Sequence, residues 1–314
     1  MRAVVMERFG GPEVLRVREV EDPEPGPGQV LVAVEYAGIT FVETQVRAGS
    51  GPWGRPPLPR IPGNGVGGRV VAVGSGVDPG LAGATVVSTT GGTGGYAELA
   101  VADAREAIAL PAGLSLRDAV ALLADGRTAV LQHRRARIEP GEWVLVEAAA
   151  GGVGSLLVQL ATASGAEVIG AARGPDKGEL VASLGAAAYV DYSLPGWERT
   201  VAETTGGEGV DLVFDGVGGR IGAQGLAALR TGGRAVIYGM ASGSWTEPDD
   251  RVRVVPGTAL GAAEIRAAAQ EALGHAVAGR LRPVIGQTYP LARAADAHRA
   301  IEARATTGKT LLIP

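Results

Sequence analysis

A glycine-rich turn between a strand pattern and a helix pattern constrains the fold of this chain more than any other feature. Residues 143–147 (Trp-Val-Leu-Val-Glu) form an apolar, strand-like run, and residues 151–164 follow with helical spacing. A strand that leads through such a turn into a helix is typical of dinucleotide-binding proteins. The free N–H groups and the positive end of the helix then face the pyrophosphate.

The turn can be aligned with the dinucleotide fingerprint G-x-G-x-x-G. The three glycine positions of that pattern fall on Ala149, Gly151 and Gly154. Gly151 would let the backbone approach a pyrophosphate, and Gly154 would let the helix pack closely on the strand. A turn with a purely structural role is the alternative, but the surrounding strand and helix favour cofactor binding.

The middle of the chain alternates between strand and helix patterns. Strand-like runs at 167–171, 210–215 and 235–239 alternate with helical patterns at 177–184 and 221–229. This alternation predicts an α/β fold with a doubly wound parallel sheet that has helices on both faces.

The two ends of the chain have a different character. The first third contains short strand-like runs, at 1–6, 30–36, 69–73 and 85–88, with glycine and proline between them, which predicts a compact β-rich domain. Residues 48–62 contain five prolines and should form a loop. The end reads as a helix over 262–278, a strand over 283–288, a helix over 291–304 and a strand over 310–313.

The end of the strand at 167–171 indicates which dinucleotide binds. NAD enzymes usually carry Asp or Glu there to bind the ribose 2′-hydroxyl. This chain continues Ala171-Ala-Arg-Gly-Pro-Asp-Lys177, with no acid at the strand end and cations at Arg173 and Lys177. The pattern favours the 2′-phosphate of NADPH. The alternative is that both cations are ordinary surface charges, and Asp176 would partly neutralise them.

Composition excludes several function classes. The chain has no cysteine, which rules out disulfides, thiolate nucleophiles and sulfur-ligated zinc, and its three histidines are far apart, so no metal site is expected. The net charge of −4 predicts no nucleic-acid partner. With no apolar run that could span a bilayer and no signal peptide, no membrane association and a cytoplasmic location are expected.

Several motifs in one order resemble the quinone oxidoreductase branch of the medium-chain dehydrogenase/reductase superfamily, the group that includes zeta-crystallin. The motifs are Ala37-Gly-Ile-Thr-Phe-Val-Glu43, Ile61-Pro-Gly-Asn64, Gly94-Gly-Tyr-Ala-Glu98, Asp125-Gly-Arg-Thr-Ala129, Ala148-Ala-Ala-Gly-Gly-Val-Gly154, Tyr238-Gly-Met-Ala-Ser-Gly243 and Arg304-Ala-Thr-Thr-Gly-Lys309. The resemblance spans nearly the whole chain. It implies a GroES-like catalytic domain over 1–115 and 256–314, with a Rossmann NADPH-binding domain over 116–255 between its two parts. It also implies a homodimer.

The resemblance further implies which residues bind NADPH. Thr128 would lie near the nicotinamide, Gly152 and Val153 would touch the pyrophosphate, Lys177, Tyr192 and Arg304 would surround the 2′-phosphate, and Gly239, Ala241 and Ser242 would line the nicotinamide ribose.

The chain departs from the family pattern at three places. Thr40 stands where Asn is usual, Gly65 stands where Glu is usual, and residues 244–263 form a short segment without a recognisable apolar strand. Dimer geometry and substrate range depend on these regions.

Without a metal to polarise a carbonyl, substrates that are already electrophilic are favoured, namely quinones and conjugated enones. The expected activity is zinc-free NADPH:quinone reduction. Enone or enoyl reduction and a low-turnover NADPH-binding role are the alternatives. No residue is predicted as a general acid. The candidates for the substrate pocket are Tyr36, Thr40, Phe41, Gln45, Trp53 and Asn64. Tyr36 and Thr40 are possible hydrogen-bond donors to a substrate oxygen, with water as the alternative donor. The other four would form the wall of the pocket, with ordinary packing as their alternative role.

Overall fold

A computed structural model describes residues 1–257 and 259–314. The chain divides by packing into two compact units. Unit 1 comprises residues 1–125, 269–278 and 283–314, and unit 2 comprises residues 126–268 and 279–282. The domain boundaries at 115/116 and 255/256 stay a prediction.

The strands are β1 (Arg2–Met6), β2 (Leu15–Glu19), β3 (Gln29–Ile39), β4 (Gly65–Val73), β5 (Thr85–Thr89), β6 (Leu99–Asp103), β7 (Ile108–Ala109), β8 (Trp143–Glu147), β9 (Glu167–Ala172), β10 (Ala188–Asp191), β11 (Val210–Asp215), β12 (Leu229–Ile237), β13 (Arg253–Val254), β14 (Gln287–Pro290) and β15 (Thr310–Ile313). The α-helices are α1 (Phe41–Ala48), α2 (Leu116–Ala136), α3 (Gly152–Ala163), α4 (Gly178–Ser183), α5 (Trp197–Thr204), α6 (Gly219–Ala227), α7 (Ala262–Val277) and α8 (Ala294–Glu302). Short 3₁₀ turns precede α4 and α8, at Pro175–Lys177 and Leu291–Arg293.

Unit 2 contains a six-stranded parallel sheet in the order β10-β9-β8-β11-β12-β13. Renumbered within the unit, this order is 3-2-1-4-5-6, the arrangement of a Rossmann fold. Its core includes Leu145, Ile169 and Val213, all fully buried. The strand order reverses between β8 and β11, and ligands of such sheets bind beyond the carboxyl ends of the strands at that point. The prediction of a doubly wound parallel sheet is confirmed.

Unit 1 is built on an antiparallel-rich sheet in the order β14-β15-β3-β4-β5-β7, and β6 also pairs with β3. A separate pair, β1 and β2, completes its strands. The core contains Val4, Met6 and Ile39 together with Ile301 of α8, so residues 283–314 at the end of the chain pack into the same unit as its first third. The β-rich character that the sequence predicted for this part is confirmed.

Local expectations differ from the structure at several places. The helices α1 and α2 were not expected. The helical pattern at 221–229 is wrong at its end, because β12 starts at Leu229 instead of 235. Residues 231 and 232 near the start of β12 are exposed, so the first part of this strand has no apolar pattern in the sequence. The strand expected from 283 begins only at Gln287.

The segment 244–263 does contain a strand, the two-residue β13, although no strand was recognised there. Both of its residues are exposed, which explains why an apolar pattern is missing. Thr258 in this segment lies outside the described residues.

Candidate functional site

The glycine-rich turn of unit 2 connects β8 to α3 with backbone hydrogen bonds of its own. The amide of Gly151 donates to the carbonyl of Ala148 over 2.7 Å, and the amide of Ser155 donates to the carbonyl of Gly151 over 3.0 Å. Ala148 adopts a left-handed conformation with φ +49°. The first N–H groups of α3 have no intrahelical acceptor and point out of the helix start, as a pyrophosphate requires.

Gly154 allows the first turn of α3 to pack on this loop. A Cβ atom there would lie 2.2 Å from the carbonyl oxygen of Ala148 and 3.0 Å from the Cα atom of Ala149. Any side chain would therefore push the helix away from the turn. The fully buried Ala149 donates its amide to the carbonyl of Ala171, which ties the turn to the end of β9. The geometry fits a dinucleotide.

The end of β9 gives the candidate adenosine side of this site. The buried strand ends at Ala172, Arg173 is exposed, and Lys177 is half-buried just before α4. The hydroxyl of Tyr189 donates to the carbonyls of Ala172 (3.2 Å) and Gly174, and this holds the Arg173 loop against β10. Tyr192 donates its amide to the carbonyl of Ala172 and packs edge-on against Trp197.

Asp191 is the acid that the sequence reasoning overlooked here. Burial alone would raise the pKa of Asp191. The hydrogen bonds from Ser193 and the backbone of Gly174, together with the charge of Arg173, lower it overall. Asp191 closes β10, the strand next to β9, so its proximity to Arg173 follows from the sheet order and not from sequence spacing.

The loop after β12 lies on the turn after β11. The amides of Ala241 and Ser242 donate to the carbonyls of Gly216 (3.4 Å) and Val217 (2.7 Å). Gly239 also packs tightly, since a Cβ atom there would lie 2.5 Å from the carbonyl oxygen of Gly216. The three residues expected at the nicotinamide ribose therefore sit together, beyond the carboxyl ends of two neighbouring strands. Thr128 is half-buried on α2.

Two carboxyl groups lie side by side under this region. Val146 pairs with Phe214, and the next residues of the two strands are Glu147 and Asp215, both with 0% exposure. The carboxylate of Asp215 accepts from the amides of Val217 (3.0 Å) and Gly218 (2.7 Å) and from the hydroxyl of Thr246. Burial, followed by the charge of Asp215, raises the pKa of Glu147 well above its usual range.

In unit 1, some of the predicted substrate-pocket residues meet and others do not. Thr40 caps α1 and donates its hydroxyl to the carboxylate of Glu43. The backbone amide of Asn64 donates to the same carboxylate. The ring of Phe41 lies 4.2 Å from the guanidinium carbon of Arg304. Tyr36 and Gln45 are half-buried, and Trp53 is 79% exposed on the loop after α1.

The sequence reasoning missed the polar residues around this pocket. Glu43 was detectable, because Thr40-x-x-Glu43 is a capping-box pattern, and the structure contains that capping box. Tyr96, Asp125 and Lys309 lie in motifs that carry the family resemblance but were not predicted as site residues, and His298 had no local signal. They come from distant parts of the chain and meet only in the folded unit.

Residues 1–257 and 259–314, which the structure describes, contain neither a membrane-spanning helix nor a cluster of metal-binding side chains. No helix within them is long and apolar enough to cross a membrane. No group of three or more acidic, histidine or cysteine side chains within them is placed to hold a metal ion.

Comparison with known proteins identifies relatives over the whole chain. Residues 26–112 match the alcohol dehydrogenase GroES-like domain family, and residues 152–270 match the zinc-binding dehydrogenase family. A quinone oxidoreductase of Pseudomonas aeruginosa is 36% identical over 98% of this chain and 97% of its own. A 2-haloacrylate reductase of a Burkholderia species is 33% identical over 99% and 98%. The crystal structure of Escherichia coli quinone oxidoreductase complexed with NADPH superposes with a TM-score of 0.91 at 32% identity, over 100% of both chains.

Proposed function

Because the chain belongs to the quinone oxidoreductase branch of the medium-chain dehydrogenase/reductase superfamily, we propose that it uses NADPH to reduce a quinone without zinc. The chain is an oxidoreductase of this family, and the quinone, the cofactor and the absence of zinc are the parts that we propose. The proposal rests on the close relatives that carry this activity and on the residues described above.

The observation that carries the cofactor assignment is the turn from β8 into α3 together with the end of β9. Gly154 lets α3 pack closely on the turn, and the strand that usually ends in an acid in NAD enzymes ends in Ala172 before Arg173. The cationic side chains of Arg173 and Lys177 suit a 2′-phosphate. Arg304, whose guanidinium packs on Phe41, stays a prediction for the same phosphate.

The protein's own groups would bind and orient the reactants. The start of α3 binds the pyrophosphate, the cations hold the 2′-phosphate, and the loop over 239–242 positions the nicotinamide ribose. Bound NADPH supplies a hydride. The zinc-free proposal follows from the sequence, which contains no cysteine and only three widely spaced histidines, although one matching family bears a zinc-binding name.

Enone reduction is the second candidate function. The specific observation in its favour is the 2-haloacrylate reductase at 33% identity, whose substrate class by name is an activated carbon–carbon double bond and not a quinone. Both reactions add a hydride to a conjugated carbonyl compound, so the same binding site serves either one.

Following NADPH absorbance with a panel of quinones and conjugated enones tests this proposal. Oxidation of NADPH with quinones supports it, and oxidation with enones alone supports the second candidate. Tight NADPH binding without oxidation by any acceptor would contradict both activities and favour a low-turnover binding role.

The cofactor assignment has its own test in Lys177→Ala. We expect the Kd for NADPH to rise far more than the Kd for NADH, because only NADPH carries the 2′-phosphate. Arg251→Ala is the matched control, since Arg251 is an exposed cation of the same unit that pairs with Asp249. Equal weakening of both dinucleotides by Lys177→Ala would contradict the 2′-phosphate assignment.

We also propose a homodimer, as the family resemblance implies. The exposed two-residue strand β13 ends the unit 2 sheet and leaves an edge available for pairing. Light scattering during size-exclusion chromatography measures the mass, and a monomer at micromolar concentration would contradict this part of the proposal.

A further inference from the structure

A cluster of half-buried and buried polar side chains in unit 1 surrounds Glu43, and the proposed function gives it no role. We call Thr40, Glu43, Asn64, Tyr96 and His298 the Glu43 cluster. It joins α1, the residues before β4, the residues before β6 and α8. The inference drawn from it rests on the proposed function, because it concerns the proton that reduction of a quinone requires.

Glu43 is bound on both carboxyl oxygens. Its Oε2 atom accepts from the amide of Thr40 (2.6 Å), the hydroxyl of Thr40 (3.1 Å) and the hydroxyl of Tyr96 (3.3 Å). Its Oε1 atom accepts from the amide of Asn64 (2.9 Å). The carboxyl group is therefore fixed in position directly behind the Thr40 hydroxyl, and Thr40 is one of the two side chains expected to donate to a substrate oxygen.

The cluster continues away from Thr40 through Tyr96 to His298. The Tyr96 hydroxyl lies 3.1 Å from Nε2 of His298, and both side chains have 0% exposure. Burial, helped by the charge of Arg47, lowers the pKa of His298 to about 3, so the imidazole is neutral. A neutral imidazole can either donate or accept at Nε2.

The charged groups near the cluster have partners of their own. Lys309 lies near Glu43, but its ammonium group is paired with Asp125 at 2.9 Å. Arg47 pairs with Glu302. The charge of Glu43 acts to raise the pKa of Arg60, and the Arg60 guanidinium donates to the carbonyl of Gly92. Burial raises the pKa of Glu43 despite its hydrogen bonds and Lys309, so the neutral acid is favoured more than in a solvent-exposed glutamate.

The cluster has two complete hydrogen-bond arrangements. With Glu43 ionised, the Tyr96 hydroxyl donates to Glu43 and accepts from Nε2–H of His298. With Glu43 protonated, its O–H donates to the oxygen of Thr40 or Tyr96, and Tyr96 can turn its own proton to Nε2. The Nδ1 atom of His298 has no hydrogen-bond partner among the described residues, so a change of tautomer disturbs no other bond of that ring.

We propose that Glu43 is the proton source for substrate reduction and that the hydroxyl of Thr40 passes its proton to the substrate oxygen. A quinone that has accepted a hydride carries two added electrons and a negative charge on oxygen. The Thr40 O–H bond breaks as the substrate O–H bond forms, and the Glu43 O–H bond breaks as the Thr40 O–H bond re-forms. The Glu43 carboxylate that remains is stabilised by the amides of Thr40 and Asn64 and by Tyr96, and water supplies the next proton.

The central test is Glu43→Gln. Glutamine can replace glutamate in a capping box, so α1 should keep its start, but an amide is no proton source. We expect kcat for quinone reduction to fall by roughly 10²-fold, the usual contribution of a general acid. The KM for NADPH should stay the same, and the pH profile of kcat should lose the ionisation of Glu43. Glu98→Gln, an exposed glutamate of the same unit paired with Arg2, should change none of these.

The relay through Thr40 is tested by restoring the hydroxyl. Thr40→Val should lower kcat and abolish the solvent deuterium isotope effect on it, whereas Thr40→Ser should recover both relative to Thr40→Val. Glu43→Gln with the wild-type kcat and pH profile would overturn the proposal. So would Thr40→Val with an unchanged isotope effect.

An infrared measurement tests the protonation of Glu43 without turnover. The wild-type minus Glu43→Gln difference spectrum at neutral pH should contain the carbonyl band of a protonated carboxylic acid, and the same difference with Glu98→Gln should not. A spectrum that shows only carboxylate bands would overturn the proposal even if the protein is fully active. If the wild-type protein fails to oxidise NADPH with every acceptor tested, the proposed function itself is refuted.

Discussion

In unit 1 the carboxyl group of Glu43 has hydrogen-bond donors on both oxygens and a cation nearby, whereas in unit 2 only the backbone of Val217 acts to lower the pKa of Glu147. Among the described residues, neither oxygen of Glu147 has a partner at ordinary hydrogen-bond distance. Its strand neighbour is another acid, Asp215. Burial raises the pKa of both glutamates, but Thr40, Asn64 and Lys309 oppose it at Glu43, whereas only the backbone of Val217 opposes it at Glu147.

This difference separates a carboxyl group suited to proton transfer from one suited to structure. Both the protonated and the ionised form of Glu43 fit its site, because its hydrogen-bond donors stabilise the negative charge of the carboxylate. A buried carboxylate with few donors is unfavourable at the position of Glu147. Burial and the charge of Asp215 therefore favour the neutral form of Glu147, while Asp215 holds the turn after β11 through Val217 and Gly218.

Among the variants that test this comparison, Lys309→Met should change the free energy of unfolding most. Unit 1 pairs its buried Asp125 with Lys309, which is 3% exposed, so removing the cation leaves an uncompensated buried charge. Loss of one partner of a buried pair costs about 3–5 kcal/mol. Urea denaturation should show a decrease of that size in the free energy of unfolding.

The double variant Lys309→Met/Asp125→Leu is the control for this prediction. Replacing both partners with apolar side chains should recover most of the lost stability, because no charge then remains buried. If the double variant is as unstable as Lys309→Met, the cost comes from packing around Gly38 and not from charge, and the contrast with unit 2 loses its basis.

The next effect concerns the pH dependence that Glu147 imposes. Its pKa is raised in the folded state, so the folded protein retains a proton that the unfolded chain releases above about pH 4.5. Stability from this group is present at lower pH and is lost as the pH rises toward the folded pKa, by up to about 1.4 kcal/mol per pH unit.

Glu147→Gln removes this proton linkage but keeps an N–H donor for Asp215. The variant should therefore become more stable relative to the wild type as the pH rises from about 5 to about 8. Urea midpoints measured across that range check the prediction. Parallel wild-type and variant curves would mean that Glu147 is ionised in the folded protein, and the comparison with Glu43 would fail.

The sequence predicts most of unit 2 and little of the Glu43 cluster, for a physical reason. The strands at 143–147 and 210–215 are found with the expected bounds, and α3 starts and ends within one residue of the pattern. These elements alternate strictly between apolar strands and helices, and a parallel sheet requires that alternation.

The helices α1 and α2 were not predicted, although the sequence contains capping residues at the start of both. Thr40 and Glu43 form a capping box, and the hydroxyl of Ser115 accepts the amide of Asp118 at the start of α2. The Glu43 cluster is a different case. Tyr96 and His298 are 202 residues apart, and no local pattern connects them.

The smallest effect is expected from Thr246→Val, which removes one donor to Asp215. Thr246 is 5% exposed and lies in the segment 244–263, where no structure was expected from the sequence. Valine has a similar shape and lacks the hydroxyl, so the free energy of unfolding should fall by about 1 kcal/mol. Thr246→Ser, which keeps the hydroxyl, should restore much of it. Because Asp215 keeps its two backbone donors, the pH dependence assigned to Glu147 should persist in Thr246→Val. A variant that loses that pH dependence would show that Thr246, and not Glu147, accounts for it.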